Sequence, residues 1–175
     1  MKRVTLFRSA SVLLVIFCAM HTVGGMLTQN SLGAASDRVF EQMKQVHFDF
    51  NGSDCTWYGF WFGFGLTTSV FLLLSAIIAW ELERVDLASW PQLRAIAWAL
   101  VASQAFNTVL SWKYFFAGPG AFGVVITVLL ALGTWRKLRL ASARAQHADS
   151  GAQRRTADSP SSASLGELAE GRGDR

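Results

Sequence analysis

Four blocks of this chain, residues 9–28, 57–80, 95–112 and 117–135, contain no Asp, Glu, Lys or Arg. Each is close to the roughly 20 residues that cross ~30 Å of hydrocarbon at ~1.5 Å per residue. A helix on the surface of a soluble core would also show a polar face, and residues 70–80 (VFLLLSAIIAW) show almost none. Charged residues make up 16% of the chain, where a soluble domain carries about a quarter. The sequence therefore predicts an all-α fold, a bundle of four transmembrane helices.

The cations orient the bundle. Four spans put both termini and the 81–92 connection on one side, with residues 29–56 and the 113–116 turn on the other. The first side holds 13 of the 16 Lys and Arg, and the second holds only Arg38, Lys44 and Lys113. Basic residues are retained on the cytoplasmic side, which predicts a multi-pass protein of the cell membrane with both termini cytoplasmic. The net charge of +4 suits an anionic leaflet. It argues against nucleic acid, since the cations flank spans and do not line a recognisable binding fold. Trp57, Tyr58, Trp61, Trp112 and Tyr114 are expected in an outer aromatic belt, and Trp80, Trp90 and Trp135 in an inner one.

Residues 1–28 could also be read as a cleavable signal peptide. The apolar part is long for that role, no small-x-small cleavage site follows it, and Phe17 before Cys18 argues against lipoprotein processing. The first span is therefore read as uncleaved. Between spans one and two, residues 36–47 place Val39, Met43 and Val46 on one face, with Asp37 and Glu41 early and Lys44 late. That pattern predicts a short amphipathic helix on the outer membrane surface. Asn51-Gly52 predicts a turn, with Ser53 or Asp54 capping the second span. Beyond about residue 140 the composition (Ala, Ser, Gly, Arg, Gln, one Pro, no aromatic) predicts a disordered cytoplasmic tail over 141–175.

Polar groups inside the spans narrow the function, because each costs free energy in hydrocarbon unless it finds a partner. Ser103, Asn107 and Ser111 recur every four residues, with Gln104 and Thr108 alongside. His21 lies about two turns from the outer end of the first span. Gly59, Gly63 and Thr67 form a small-xxx-small ridge expected to seat a neighbouring helix. By depth counting, His21 and Asn107 fall in the outer half, with His47 and Asp49 just above them. These four are the candidate ligand-binding residues. The plainer readings are an interhelical hydrogen bond for His21 and loop or capping bonds for His47 and Asp49. Two ligands at the His47-x-Asp49 spacing are too few for a metal centre. No catalytic signature, cofactor motif or CxxC pair is present, and Cys18 and Cys55 lie too far apart in this topology to bridge.

The His21-Thr22-x-Gly24 motif, His47-Phe48-Asp49-Phe50-x-Gly52, the Thr56-Trp57-Tyr58 run and Gly63-Phe64-Gly65-Leu66 resemble a family of small, uncharacterised bacterial integral membrane proteins. The resemblance spans roughly residues 10–135. It implies the four-span fold and carries no activity or substrate. Cys55 stands where members of that family have Arg, and Gly59 where they have an acidic residue. Two functions follow from the residues. The first is a non-catalytic membrane protein that binds a lipid, a hydrophobic small molecule or a membrane protein partner in the outer half of the bundle, alone or as an oligomer. The second is a membrane enzyme or proton-coupled carrier using His21 with Asp49 or Asn107. The first is preferred, because no inverted repeat or broken-helix pair is evident and His21 is the only clear ionisable group inside hydrocarbon.

Overall fold

A computed structural model describes residues 5–28 and 31–157. Its elements are α1 (Leu6–Ala19), a π-helical continuation (Met20–Leu27), α2 (Ala34–Gln45), the strands β1 (His47–Phe50) and β2 (Ser53–Thr56), α3 (Trp57–Arg84), α4 (Trp90–Tyr114) and α5 (Ala117–Ala157). Four helices are long and apolar enough to cross a membrane, the first being α1 with its π continuation. The short helix expected between spans one and two is α2, with Asp37 in its first turn and Lys44 in its last.

Several expectations change. Residues 47–56 fold as an antiparallel hairpin, with His47 opposite Thr56 and Asp49 opposite Asp54. Asn51 (φ 56°) and Gly52 (φ 82°) both take positive φ, as a two-residue I′ turn requires. The hairpin carries the chain up to Thr56, so Thr56 caps α3 in place of Ser53 or Asp54, its Oγ1 accepting from Gly59 N at 3.0 Å. The expected disorder from residue 141 is also revised. α5 continues unbroken to Ala157, since its Ala, Arg and Gln are good helix formers extending a helix already nucleated in the span. The remainder of that tail lies outside the described residues.

The four spans form an open arc in the order α3–α1–α5–α4. α1 packs along both α3 and α5, and α4 packs along α5, while α3 and α4 barely touch. The core lies toward the end that holds the start of α1. Phe7, Ala10 and Leu14 of α1 meet Leu72, Ala76 and Ala79 of α3, with Ile126 and Leu130 of α5. Their three- and four-residue spacings are those that place side chains on one helix face.

Lys137 closes this end. Its Nζ donates to the carbonyls of Leu82 (2.6 Å), Glu83 (2.8 Å) and Val85 (2.9 Å), capping the negative end of α3. The ammonium also lies 4.9 Å from the ring of Trp90 and 5.9 Å from that of Phe7, within cation–π range. Trp90 is fully buried beside Phe7 and so takes no part in the expected inner belt. Trp80 and Trp135 stay exposed, each beneath an arginine, Arg8 at 5.4 Å and Arg139 at 4.5 Å.

Candidate functional site

The sequence-predicted site residues separate into three places. His21 stands in the π segment and bonds across the α1–α3 seam, its Nε2 3.0 Å from the carbonyl of Gly65. Because a carbonyl only accepts, Nε2 carries the hydrogen there. The wide π turn carries His21 and Thr22 toward α3. Thr22 Oγ1 donates to the Cys18 carbonyl (2.8 Å) and meets Ser69 Oγ (2.8 Å), and Cys18 Sγ donates to the Ser69 carbonyl (3.3 Å). Gly65 permits this approach, since a Cβ there would collide with Met26. Both cysteines are free thiols.

His47 and Asp49 belong to the hairpin. The His47 ring bonds the carboxylate of Asp54 through Nδ1, at 2.9 and 3.0 Å. Asp49 accepts from the Gly52 amide at 3.1 Å, holding the turn. Among the described residues, no three His, Cys, Asp or Glu side chains are grouped so as to hold a metal ion.

The ridge of Gly59, Gly63 and Thr67 does not lie against a neighbouring span. All three residues are exposed, and among the described residues a Cβ on Gly63 would find nothing within 4 Å. Thr67 turns its hydroxyl back to the Gly63 carbonyl (2.9 Å). Close helix contact is made at other glycines. A Cβ on Gly123 of α5 would meet Thr108 of α4 down to its backbone, 3.3 Å from the Cα, and one on Gly133 would press on Phe7 at 3.1 Å.

Asn107 lies apart from both groups, in a lateral groove of about 520 Å³ between α3 and α4. Thr68, Phe71, Ser75 and Ile78 line one wall, and Ile96, Ser103, Asn107 and Leu110 line the other. The walls run ~15 Å along α3 and ~21 Å along α4 at the usual helical rise. The groove is thus centred near the middle of the spans and reaches beyond the half-span in which the site was expected.

Gln104 forms its floor. It is 5% exposed, and its amide nitrogen donates to Ser75 Oγ at 3.0 Å, joining the two walls. Among the described residues the Gln104 Oε1 accepts no hydrogen bond, and the Asn107 amide makes none. The polar stripe expected on α4 therefore divides between two faces. Thr108 and Ser111 are buried toward α5, with Thr108 Oγ1 bonded to the Gln104 carbonyl (2.7 Å) and near Thr127 Oγ1 (3.3 Å). Ser103 and Asn107 turn toward the groove.

Among the described residues the groove carries no charged group, so it offers neutral donors and acceptors on an apolar wall. Such a surface can recognise another uncharged polar group held within hydrocarbon. Sequence reasoning named Ser103 and Gln104 as stripe members and missed the α3 wall, where Thr68, Phe71, Ser75 and Ile78 repeat at three- and four-residue spacing. That spacing was the available signal. No family model matches this chain, and neither the curated proteins nor the solved structures contain a similar one.

Proposed function

We propose that this chain is a non-catalytic multi-pass protein of the cell membrane, with both termini cytoplasmic, that seats a transmembrane helix in the groove between α3 and α4. One observation carries the reading. Among the described residues, the side-chain Oε1 of Gln104 and the Asn107 amide lack partners at a depth where lipid supplies only methylene groups. Polar atoms of phospholipids lie in the interfacial layer, outside the ~30 Å hydrocarbon core. A helix of another polypeptide can present Ser, Thr, Asn or Gln at mid-span, and such bonds hold helices together within bilayers. The cationic bias of the termini supports the orientation. An enzyme or carrier built on His21 with Asp49 or Asn107 gains no support from contact, since His21 bonds Gly65 and Asp49 bonds Gly52.

The test is a photoreactive amino acid placed at residue 103 in the groove and, as a control, at residue 125 on the exposed face of α5. Illumination in native membranes should give a polypeptide adduct from position 103 and lipid adducts alone from 125. Lipid adducts alone from both positions would overturn the reading.

A further inference from the structure

The helix α4 carries two seams, and this chain uses one of them. Ala97, Val101, Gln104, Thr108 and Ser111, spaced four, three, four and three residues apart, are buried where α4 packs along α5. Ile96, Ala99, Ser103, Phe106 and Leu110 are spaced three, four, three and four apart, and all are exposed on the groove side. A run of this spacing is the 3.5-residue repeat by which two parallel helices pack along their whole length. We infer that the helix seated in the groove is α4 of a second copy of this chain, which makes the protein a two-fold dimer. This rests on the reading of the groove as a helix seat.

Two copies inserted with the same topology are related by an axis normal to the membrane, so their α4 helices run parallel and each residue meets its equivalent at one depth. The second seam suits that arrangement at every level. Ala99 and Ser103 are small and let the backbones approach. Phe106 and Leu110 fill the wider turns beyond, and no charge occurs between Ile96 and Leu110 to repel its own copy. The seam ends at Lys113, at the far end of α4.

The polar groups are self-complementary as well. A carboxamide is both donor and acceptor, so Asn107 and Ser103 of one copy can satisfy those of the other, with Gln104 Oε1, which accepts no bond among the described residues, as a further acceptor. Phe71 and Ser75 of α3, on the opposite wall, flank the incoming helix. The result is a central bundle of two α3 and two α4 helices.

The experiment uses the full chain with Cys18→Ser and Cys55→Ser, which removes both native thiols, and one new cysteine at a time. The protein is held at low density in vesicles of phosphatidylethanolamine and phosphatidylglycerol and then oxidised. Ser103→Cys, a near-isosteric change on an exposed site, should give a disulfide-linked species of twice the chain mass. Val125→Cys should give none, and adding Asn107→Leu to Ser103→Cys should lower the yield several-fold. No dimer at Ser103→Cys, or equal yields at residues 103 and 125, would overturn the proposal. Photo-adducts from position 103 to a polypeptide of different mass would defeat the dimer and leave the helix seat standing. Lipid adducts alone would defeat both.

Discussion

At the Lys137 end of the bundle the buried groups come from four different helices, whereas at the hairpin end the rings come almost entirely from one stretch of chain. Phe7, Leu82, Trp90 and Leu130 belong to α1, α3, α4 and α5 in turn, and all are buried. At the other end Phe48, Trp57, Phe60 and Phe64 stack in sequence, with centroids 4.8 to 6.3 Å apart. Trp57 and Phe64 remain largely exposed. Lipid tails are as apolar as leucine, so burying a ring between helices gains only close packing and satisfied polar groups. The Lys137 end gains both. The hairpin end gains stacking within itself and leaves its outer surface to the membrane interface, where such rings reside.

Substituting one ring at each end should expose the contrast most strongly. Trp90→Ala removes a fully buried indole beneath Lys137 and should cost about 3–5 kcal/mol in equilibrium unfolding in detergent. Trp57→Ala, 57% exposed, should cost about 1 kcal/mol or less, the worth of its ring pairs. Equal losses would mean that the two ends are packed alike.

A smaller difference should separate two glycines. Gly123→Ala presses a methyl against Thr108, whose hydroxyl bonds the Gln104 carbonyl, and should cost about 1–3 kcal/mol. Gly63→Ala places its methyl in open space and should be neutral, or stabilising by up to about 1 kcal/mol through helix propensity. A destabilised Gly63→Ala chain would show that the exposed ridge is covered after all.

The smallest effect distinguishes the two turns between spans. At the Lys137 end, Asp86 Oδ1 accepts from the Ser89 amide at 2.7 Å. That bond, then the Ser89 hydroxyl, hold the Asp86 carboxyl below its ordinary range. A carboxyl depressed in the folded state stabilises it fully at neutral pH, and this contribution is lost as pH falls through the folded value. Following the Asp86 carboxyl by NMR should place its midpoint below that of an ordinary aspartate, and Ser89→Ala should raise it. A midpoint at or above the ordinary value would show that the turn is open. The 115–116 turn at the hairpin end has no carboxylate to titrate.

How much of this was legible follows from what a bilayer makes visible in a sequence. The four spans could be read from length and missing charge, because hydrocarbon penalises a charge wherever it points. Rotation about each axis could not be read, because lipid and neighbouring helix are both apolar. Ser103 and Ser111 look equivalent in a four-residue repeat, yet one faces the groove and the other is buried. Gly63 and Gly65 sit two residues apart, and only Gly65 is in close contact. Depth counting placed His21 and Asn107 at similar heights, and the structure puts them on different seams. Outside the bilayer, Asn51-Gly52 announced the turn. The strands beside it are only four residues each and gave no alternation long enough to recognise.

The Lys137 clasp bears on the order in which the chain can assemble. The carbonyls it caps end α3, and the ammonium that caps them is supplied from α5, 52 to 55 residues later. α1 and α3 can pair as soon as both are in the membrane, yet the end of α3 stays open until α5 has been synthesised. The last span is therefore the bolt of the assembly, and a chain halted after α4 leaves the first three spans unlocked at one end.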